Sequence, residues 1–215
     1  MGKLIVTEFA TLDGVAQAPG QPEEDGDSNF AFGGWQAPLI DQESGAAIFQ
    51  QAQDMAALLL GRKTYEIFAS YWPRAPKEIP FTALLNSVPK YVASRTWTGQ
   101  LDWQGSALLS GDLAADISDL KQRYDEVHVI GSLDLVQSLL GLGLVDRFNL
   151  WLYPLLLGSG QQVFGDGTLP TALRLTKSVT YSNGTLQLTY EAAGVPTFGN
   201  MAIEADDLKR LSSSD

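Results

Sequence analysis

Hydrophobic positions along the chain follow two periods that alternate. Residues 3–11 (KLIVTEFAT) have the β-branched and aromatic content of a buried strand, stopped by Asp13-Gly14. Residues 17–34 hold Pro19, Gly20, Pro22, four acids and Gly33-Gly34, a long polar loop of the kind that often serves function. Ile40, Ser44, Ile48, Ala52 and Met55 recur at helical spacing and predict a helix over residues 39–55. Residues 56–60 form a short apolar strand running directly into Gly61-Arg62-Lys63-Thr64, and a helical piece over 64–70 ends before Trp72-Pro73. The alternation then repeats. Strands are predicted over 90–93, 107–110 and 126–130. Asp112 is placed to cap a helix with Leu113, Ile117, Leu120 and Tyr124 on one face. Leu133, Val136, Leu139 and Leu140 mark another helix, closed by Gly141 or Gly143. Residues 148–157 read as a strand, and 172–181 with 185–190 as a hairpin around Asn183-Gly184. Strands separated by helices predict an α/β fold with a mostly parallel central sheet flanked by helices and a C-terminal antiparallel hairpin. Residues 1–194 form one domain in this reading, and 195–215 an extension whose residues 203–211 have amphipathic helical spacing.

Composition narrows the chemistry. The 215 residues are 45% hydrophobic, enough for a sizeable core and against intrinsic disorder. With no cysteine and one histidine, His128, disulfide scaffolds, thiolate nucleophiles and multi-histidine or cysteine-bearing metal sites are excluded. No metal is expected. Twenty-five acidic against 14 basic side chains give a net charge of −11, which argues against a nucleic-acid groove. Glu8 interrupts the first apolar stretch, and the longest apolar runs, near 55–60 and 150–157, are too short to cross a bilayer. A cytoplasmic protein without a membrane partner is the expectation. Asn183-Gly184-Thr185 matches a glycosylation acceptor but reads as a tight turn.

Three strand-to-helix junctions could carry chemistry: Gly61–Thr64, Ser94–Thr96 and Gly131-Ser132-Leu133. Ligands of open α/β sheets bind beyond the carboxyl ends of the strands, where helix starts present free N–H groups and a positive dipole end. Arg62, Lys63 and Arg95 fall at these junctions; taken singly, each is also consistent with a solvated charge. Neither a Walker A nor a GxGxxG pattern is present.

Taken together the motifs resemble the dihydrofolate reductase-like superfamily. Residues 58–66 (LLLGRKTYE) resemble its strand–turn–helix, 91–96 (YVASRT) its next strand ending in Ser-Arg, and 127–132 (VHVIGS) the later strand that ends in a Gly-Gly turn, with Ser132 at the second Gly. Residues 11–14 (TLDG), 143–146 (GLVD) and 154–160 (PLLLGSG) with Phe164 are similar to the branch that contains the C-terminal reductase domain of bacterial riboflavin biosynthesis. The resemblance covers residues 3–192. It implies NADPH as hydride donor. Gly61, Arg62, Lys63 and Thr64 would meet the adenosine-side phosphates, and Ser94 and Arg95 the 2′-phosphate, for which an arginine fork is suited. Gly131, Ser132 and Leu133 would cradle the pyrophosphate, and Phe9 and Ala10 would line the nicotinamide site. It also implies a homodimer.

On the substrate side the candidates are Asp13, Asp41 and Glu43 as catalytic acids and Trp151 and Tyr153 as a stacking platform. Asp41 and Glu43 equally suit the first turn of a helix, Asp13-Gly14 an ordinary turn, and Trp151 and Tyr153 core packing. His128 alternates with Val127 and Val129 and faces away from them. The expected partner is a small planar heterocycle of the pterin or aminopyrimidine class. The acids of residues 17–34 lean away from a dedicated riboflavin-pathway enzyme, whose sugar-phosphate substrate asks for basic residues. Two rivals stand beside this: a non-catalytic nucleotide-binding protein that retains the cofactor cleft, and a flavin-binding module.

Overall fold

A computed structural model describes residues 1–25 and 29–201. Its centre is an eight-stranded sheet in the order β4-β3-β2-β5-β1-β6-β8-β7. The strands are β1 (Lys3–Thr11), β2 (Ala57–Gly61), β3 (Lys90–Ala93), β4 (Ser106–Leu109), β5 (Glu126–Ile130), β6 (Arg147–Tyr153), β7 (Leu173–Thr180) and β8 (Leu186–Ala192). The first six run parallel, and β8 and β7 add antiparallel at one edge. The expected α/β architecture, with its C-terminal hairpin, is what the chain adopts. Leu58, Leu59 and Leu60 are all fully buried, as a central parallel strand covered on both faces requires. On one face Leu4, Val6, Leu59, Val127 and Val129 pack with Ile117, Leu120, Val136 and Leu139. The last four belong to helices α4 (Leu113–Arg123) and α5 (Leu133–Gly141). On the other face Leu58, Leu60 and Val92 pack with Tyr65, Leu85 and Trp103.

The chain leaves β1, moves outward through β2 to β4, and returns β5 into the gap between β2 and β1. The carboxyl ends of β2, β5 and β1 thereby become neighbours. This is the switch point at which open α/β sheets bind ligands.

Several boundaries differ from the hydrophobic pattern, each for a local reason. Helix α1 spans Gln42–Ala52 rather than 39–55, because Asp41 and Ser44 cap its start reciprocally. Ser44 N donates to Asp41 Oδ1 at 2.8 Å, and Asp41 N donates to Ser44 Oγ at 3.1 Å. Helix α2 covers Arg62–Tyr71, so it starts two residues earlier than expected, with Gly61 as its N-cap and no intervening loop. Strand β6 stops at Tyr153 because Pro154 has no N–H to continue the ladder. Helix α3 (Pro80–Ser87) was not foreseen: it has only eight residues and lies among Pro73, Pro76 and Pro80, although Pro at a first helical position is favourable. The turn at Asn183-Gly184 is as expected, with Gly184 at φ +84° and Tyr181 N donating to Thr185 O. The helix expected over 203–211 lies outside the described residues.

Lys90 opens β3 with its side chain fully buried. Its ammonium donates to Asn86 O and Gln104 O, both at 3.0 Å, and lies 4.5 Å from the centre of the Trp103 ring. Burial pulls its pKa down to about 8. Between about pH 8 and the ordinary value of 10.5, the unfolded chain holds a proton that the folded chain has lost, so stability from this group rises with pH. The expected outcome is that urea-unfolding free energy of wild type gains on Lys90→Met across that window, by at most about 1.4 kcal/mol per pH unit. A difference that stays constant with pH contradicts the assignment.

Candidate functional site

A cleft of about 1150 Å³ opens over the carboxyl ends of the central strands. Its walls are the starts of α2 and α5, the turn after β3, the start of α4, and part of the loop that follows β1. The size suits an extended ligand, being just above the usual range of small-molecule sites.

The start of α2 is electrostatically unusual. A helix N-terminus favours acids, yet the first turn here is Arg62-Lys63-Thr64 with no acidic residue, and Gly61 supplies no side-chain cap. The free amides and two cations at a positive dipole end are an unfavourable combination unless an anion sits among them. Arg62 and Arg95 are exposed, and their side chains make no hydrogen bond or ion pair with any described residue. Lys63 is engaged: its ammonium lies 3.1 Å from Asp25 Oδ1, on the loop after β1. Gln17 Nε2 donates to the other oxygen of Asp25 at 2.6 Å, and Gln161 N donates to Gln17 Oε1 at 3.0 Å. Part of the polar loop is thus tied across the cleft wall.

The turn from β5 to α5 places two consecutive residues in the left-handed region, Gly131 at φ +60° and Ser132 at φ +63°. Glycine adopts this freely; serine does so at a cost that is common at ligand sites. The side chain of Ser132 does not cap its own helix. Its Oγ accepts the amide of Gly61 at 2.9 Å, joining the α5 turn to the α2 turn. After β3, Ser94 Oγ accepts the amides of Thr96 (3.3 Å) and Trp97 (3.1 Å), which fixes the turn that projects Arg95. Gly61, Arg62, Lys63, Thr64, Ser94, Arg95, Gly131, Ser132, Leu133 and Phe9 all line this one cleft. Ala10 does not: it packs in the core with Leu4 and Val6, which corrects its expected place at the site.

The expected acids and aromatics are placed differently. Asp13 lies outside the cleft lining and accepts the amides of Leu157 (3.1 Å) and Gly158 (2.6 Å) as well as the Thr11 hydroxyl. These bonds hold its carboxyl below the usual range, led by the Thr11 hydroxyl, so it is an ionised latch between β1 and the loop after β6. Asp41 is likewise held low by Ser44 in its capping role. Glu43 is exposed in the first turn of α1, where an acid suits the dipole. None of the three lines the cleft. Trp151 and Tyr153 are fully buried. Trp151 stacks on Tyr181 at 5.5 Å and donates Nε1 to Gln51 at 2.8 Å; Tyr153 meets Trp35 edge-on and accepts from Gln36 at 2.7 Å. Neither offers a ring face to a ligand, so the stacking expectation is corrected to core packing. His128 is buried with Nε2 3.1 Å from Glu126, on the face opposite Val127 and Val129.

A buried acid of the cleft wall is absent from the expected site residues. Glu8 is 2% exposed, lines the cleft, and its Oε1 has no hydrogen-bond partner. Burial pushes its carboxyl up to about 8. The signal was present as an acid at a core position of an apolar strand, between Val6 and Ala10.

Known proteins give this geometry a context. The chain is 29% identical over 162 residues to the uncharacterized protein YyaP of Bacillus subtilis (strain 168), covering 73% of this chain and 83% of that one. A putative riboflavin biosynthesis protein from Shewanella sp. PV-4 superposes with a TM-score of 0.64 at 22% identity, over 89% of this chain and 99% of that one. A dihydrofolate reductase from Enterococcus faecalis, complexed with NADP(H), gives 0.55 at 14% identity, over 89% and 96%. At such identities the likeness is one of fold: the dihydrofolate reductase-like one. The RibD C-terminal domain model matches residues 2–187, and the chain belongs to that family.

Proposed function

We propose that the chain is an NADPH-dependent reductase of a small planar heterocycle, of the pterin or aminopyrimidine class. The observation that carries this is the convergence of two helix starts without side-chain caps and three cations, Arg62, Lys63 and Arg95, on one cleft of an otherwise acidic chain. That donor set fits a ligand with phosphate at two separated places and an uncharged ring beyond them. Arg95 and the hydroxyl hydrogen of Ser94 take the 2′-phosphate, while Arg62, Lys63 and Thr64 take the adenosine-side phosphates. The amides at Ser132 and Leu133 take the pyrophosphate. Phe9 packs beside the nicotinamide. Gln36 and Ile40, also on the cleft wall, border the place left for the heterocycle. Bound there, NADPH supplies the hydride, and the protein's work is positioning and a proton route. Family membership and the reductases among its fold relatives support an oxidoreductase.

A non-catalytic nucleotide-binding protein is the second reading, favoured by the engagement of Asp13 and Asp41 in structural hydrogen bonds. NADPH oxidation with a panel of pterins, dihydropterins and aminopyrimidines separates the two, turnover being the expected outcome.

Two variants test the cofactor assignment. Arg95→Ala is expected to weaken NADPH about tenfold or more in fluorescence titration and to leave NADH unchanged. A preference for NADPH that survives the substitution places the 2′-phosphate elsewhere. Asp25→Ala releases Lys63 and removes a like charge, so NADPH is expected to bind roughly two- to fivefold tighter at low ionic strength, a gain that fades with added salt. Weaker binding would mean that Asp25 supports the site rather than competing for it.

A further inference from the structure

Glu8 sits where a buried acid is least expected. Its strand neighbours on the same face, Leu4, Val6 and Ala10, are core residues, and its partner across the β6 ladder is Leu150. Thr7 pairs with Ile130, the last residue of β5, so Glu8 stands just past the end of β5, level with the Gly131–Ser132 turn. It is 2% exposed and lines the cleft. Its carboxyl makes no hydrogen bond with any described residue, and Oε1 is sealed from solvent. An unsatisfied buried carboxyl costs free energy that a ligand can return.

The charges around it do not pair with it. The cleft wall presents Asp134 from α5, Arg62, Lys63 and Tyr71 from α2, Asp112 and Asp116 at the start of α4, Arg95 after β3, and Glu24 and Asp25 from the loop. None of them forms an ion pair or hydrogen bond with Glu8, and its register partner on β6 is the apolar Leu150. Resting on the reading of this cleft as an NADPH site, we propose that Glu8 binds the nicotinamide half of the cofactor as a neutral carboxylic acid. It donates its O–H to an acceptor on that half, so the cleft takes up NADPH with Glu8 protonated and releases it when Glu8 ionises.

The chemistry favours the neutral form. A carboxylate beside the pyrophosphate turn would set one anion against another in a poorly solvated place, whereas a carboxylic acid is a donor. Desolvation alone raises the pKa of Glu8 to about 8, so it carries its proton at neutral pH. Above that value the free cleft has lost the proton, and binding must take one back from solvent. The Kd for NADPH then climbs toward about tenfold per pH unit.

The test compares two ligands by fluorescence or calorimetric titration from about pH 7 to 9.5. NADPH carries the nicotinamide half; 2′,5′-ADP lacks it but meets the same cations, so it controls for their titration. Wild type is expected to show a Kd for NADPH that rises above about pH 8 while that for 2′,5′-ADP stays level. Glu8→Gln keeps a donor that cannot ionise, and its NADPH curve is expected to be flat. Should that variant not fold, wild-type calorimetry at about pH 9 in two buffers of different ionisation enthalpy reads the proton directly. It should show uptake approaching about one proton with NADPH and none with 2′,5′-ADP. A wild-type NADPH curve that stays flat, an equal rise for 2′,5′-ADP, or a Glu8→Gln curve that rises like wild type overturns the role of Glu8 and leaves the cofactor site standing. Failure of both ligands to bind at neutral pH overturns the NADPH site and this role with it.

Discussion

The hydrogen bond from the amide of Gly61 to the hydroxyl of Ser132 holds together the two turns on which the cleft depends. Those turns are far apart in sequence and become neighbours only because β5 inserts beside β2. Ser132 reaches the bond from a left-handed backbone, and its hydroxyl is thereby turned from its own helix start toward its neighbour's strand end. The starts of α5 and α2 are both left without a side-chain cap, and both line the cleft. A glycine at position 132 would relieve the backbone and lose the tie.

The charge balance acquires a spatial meaning from this arrangement. Several acids are used in caps and latches, as with Asp41, Asp112 and Asp13. Arg62 and Lys63 are set at a helix start where the backbone is already positive, and Arg95 joins them on a cleft wall that also carries acids, among them Glu24, Asp25, Asp116 and Asp134. Burial works in the opposite direction on Glu8 and Lys90: each is pushed toward its uncharged form, in the cleft and in the core respectively.

The sheet, its hairpin and the helix starts after β2 and β5 were legible because they rest on local signals, apolar runs and glycine at strand ends; the turn at Ser94–Thr96 leads to β4 and not to the expected helix. Helix ends were less so, since Asp41 and Ser44 decide the start of α1 by a mutual hydrogen bond that periodicity does not register. The surroundings of the expected acids and aromatics were least legible. Trp151 and Tyr153 share a strand face as expected, but whether that face meets ligand or protein depends on Trp35, Gln36, Gln51 and Tyr181, which arrive from distant segments. Glu8 was hidden for a related reason: an acid in a strand is an ordinary surface residue until β5 and β6 close on both sides of it.

That last point bears on how the molecule is made. Strand β1 lies at the middle of the sheet, yet Ile5 pairs with His128 on one side and Arg147 on the other, and neither exists until well past the middle of the chain. During synthesis β1 must wait, with both ladders open, for the C-terminal half to emerge. Such long-range pairing is slow and comes late in folding. The cleft is therefore completed in the same event that completes the sheet, and a ligand that grips both turns at once would recognise only a chain that has finished folding.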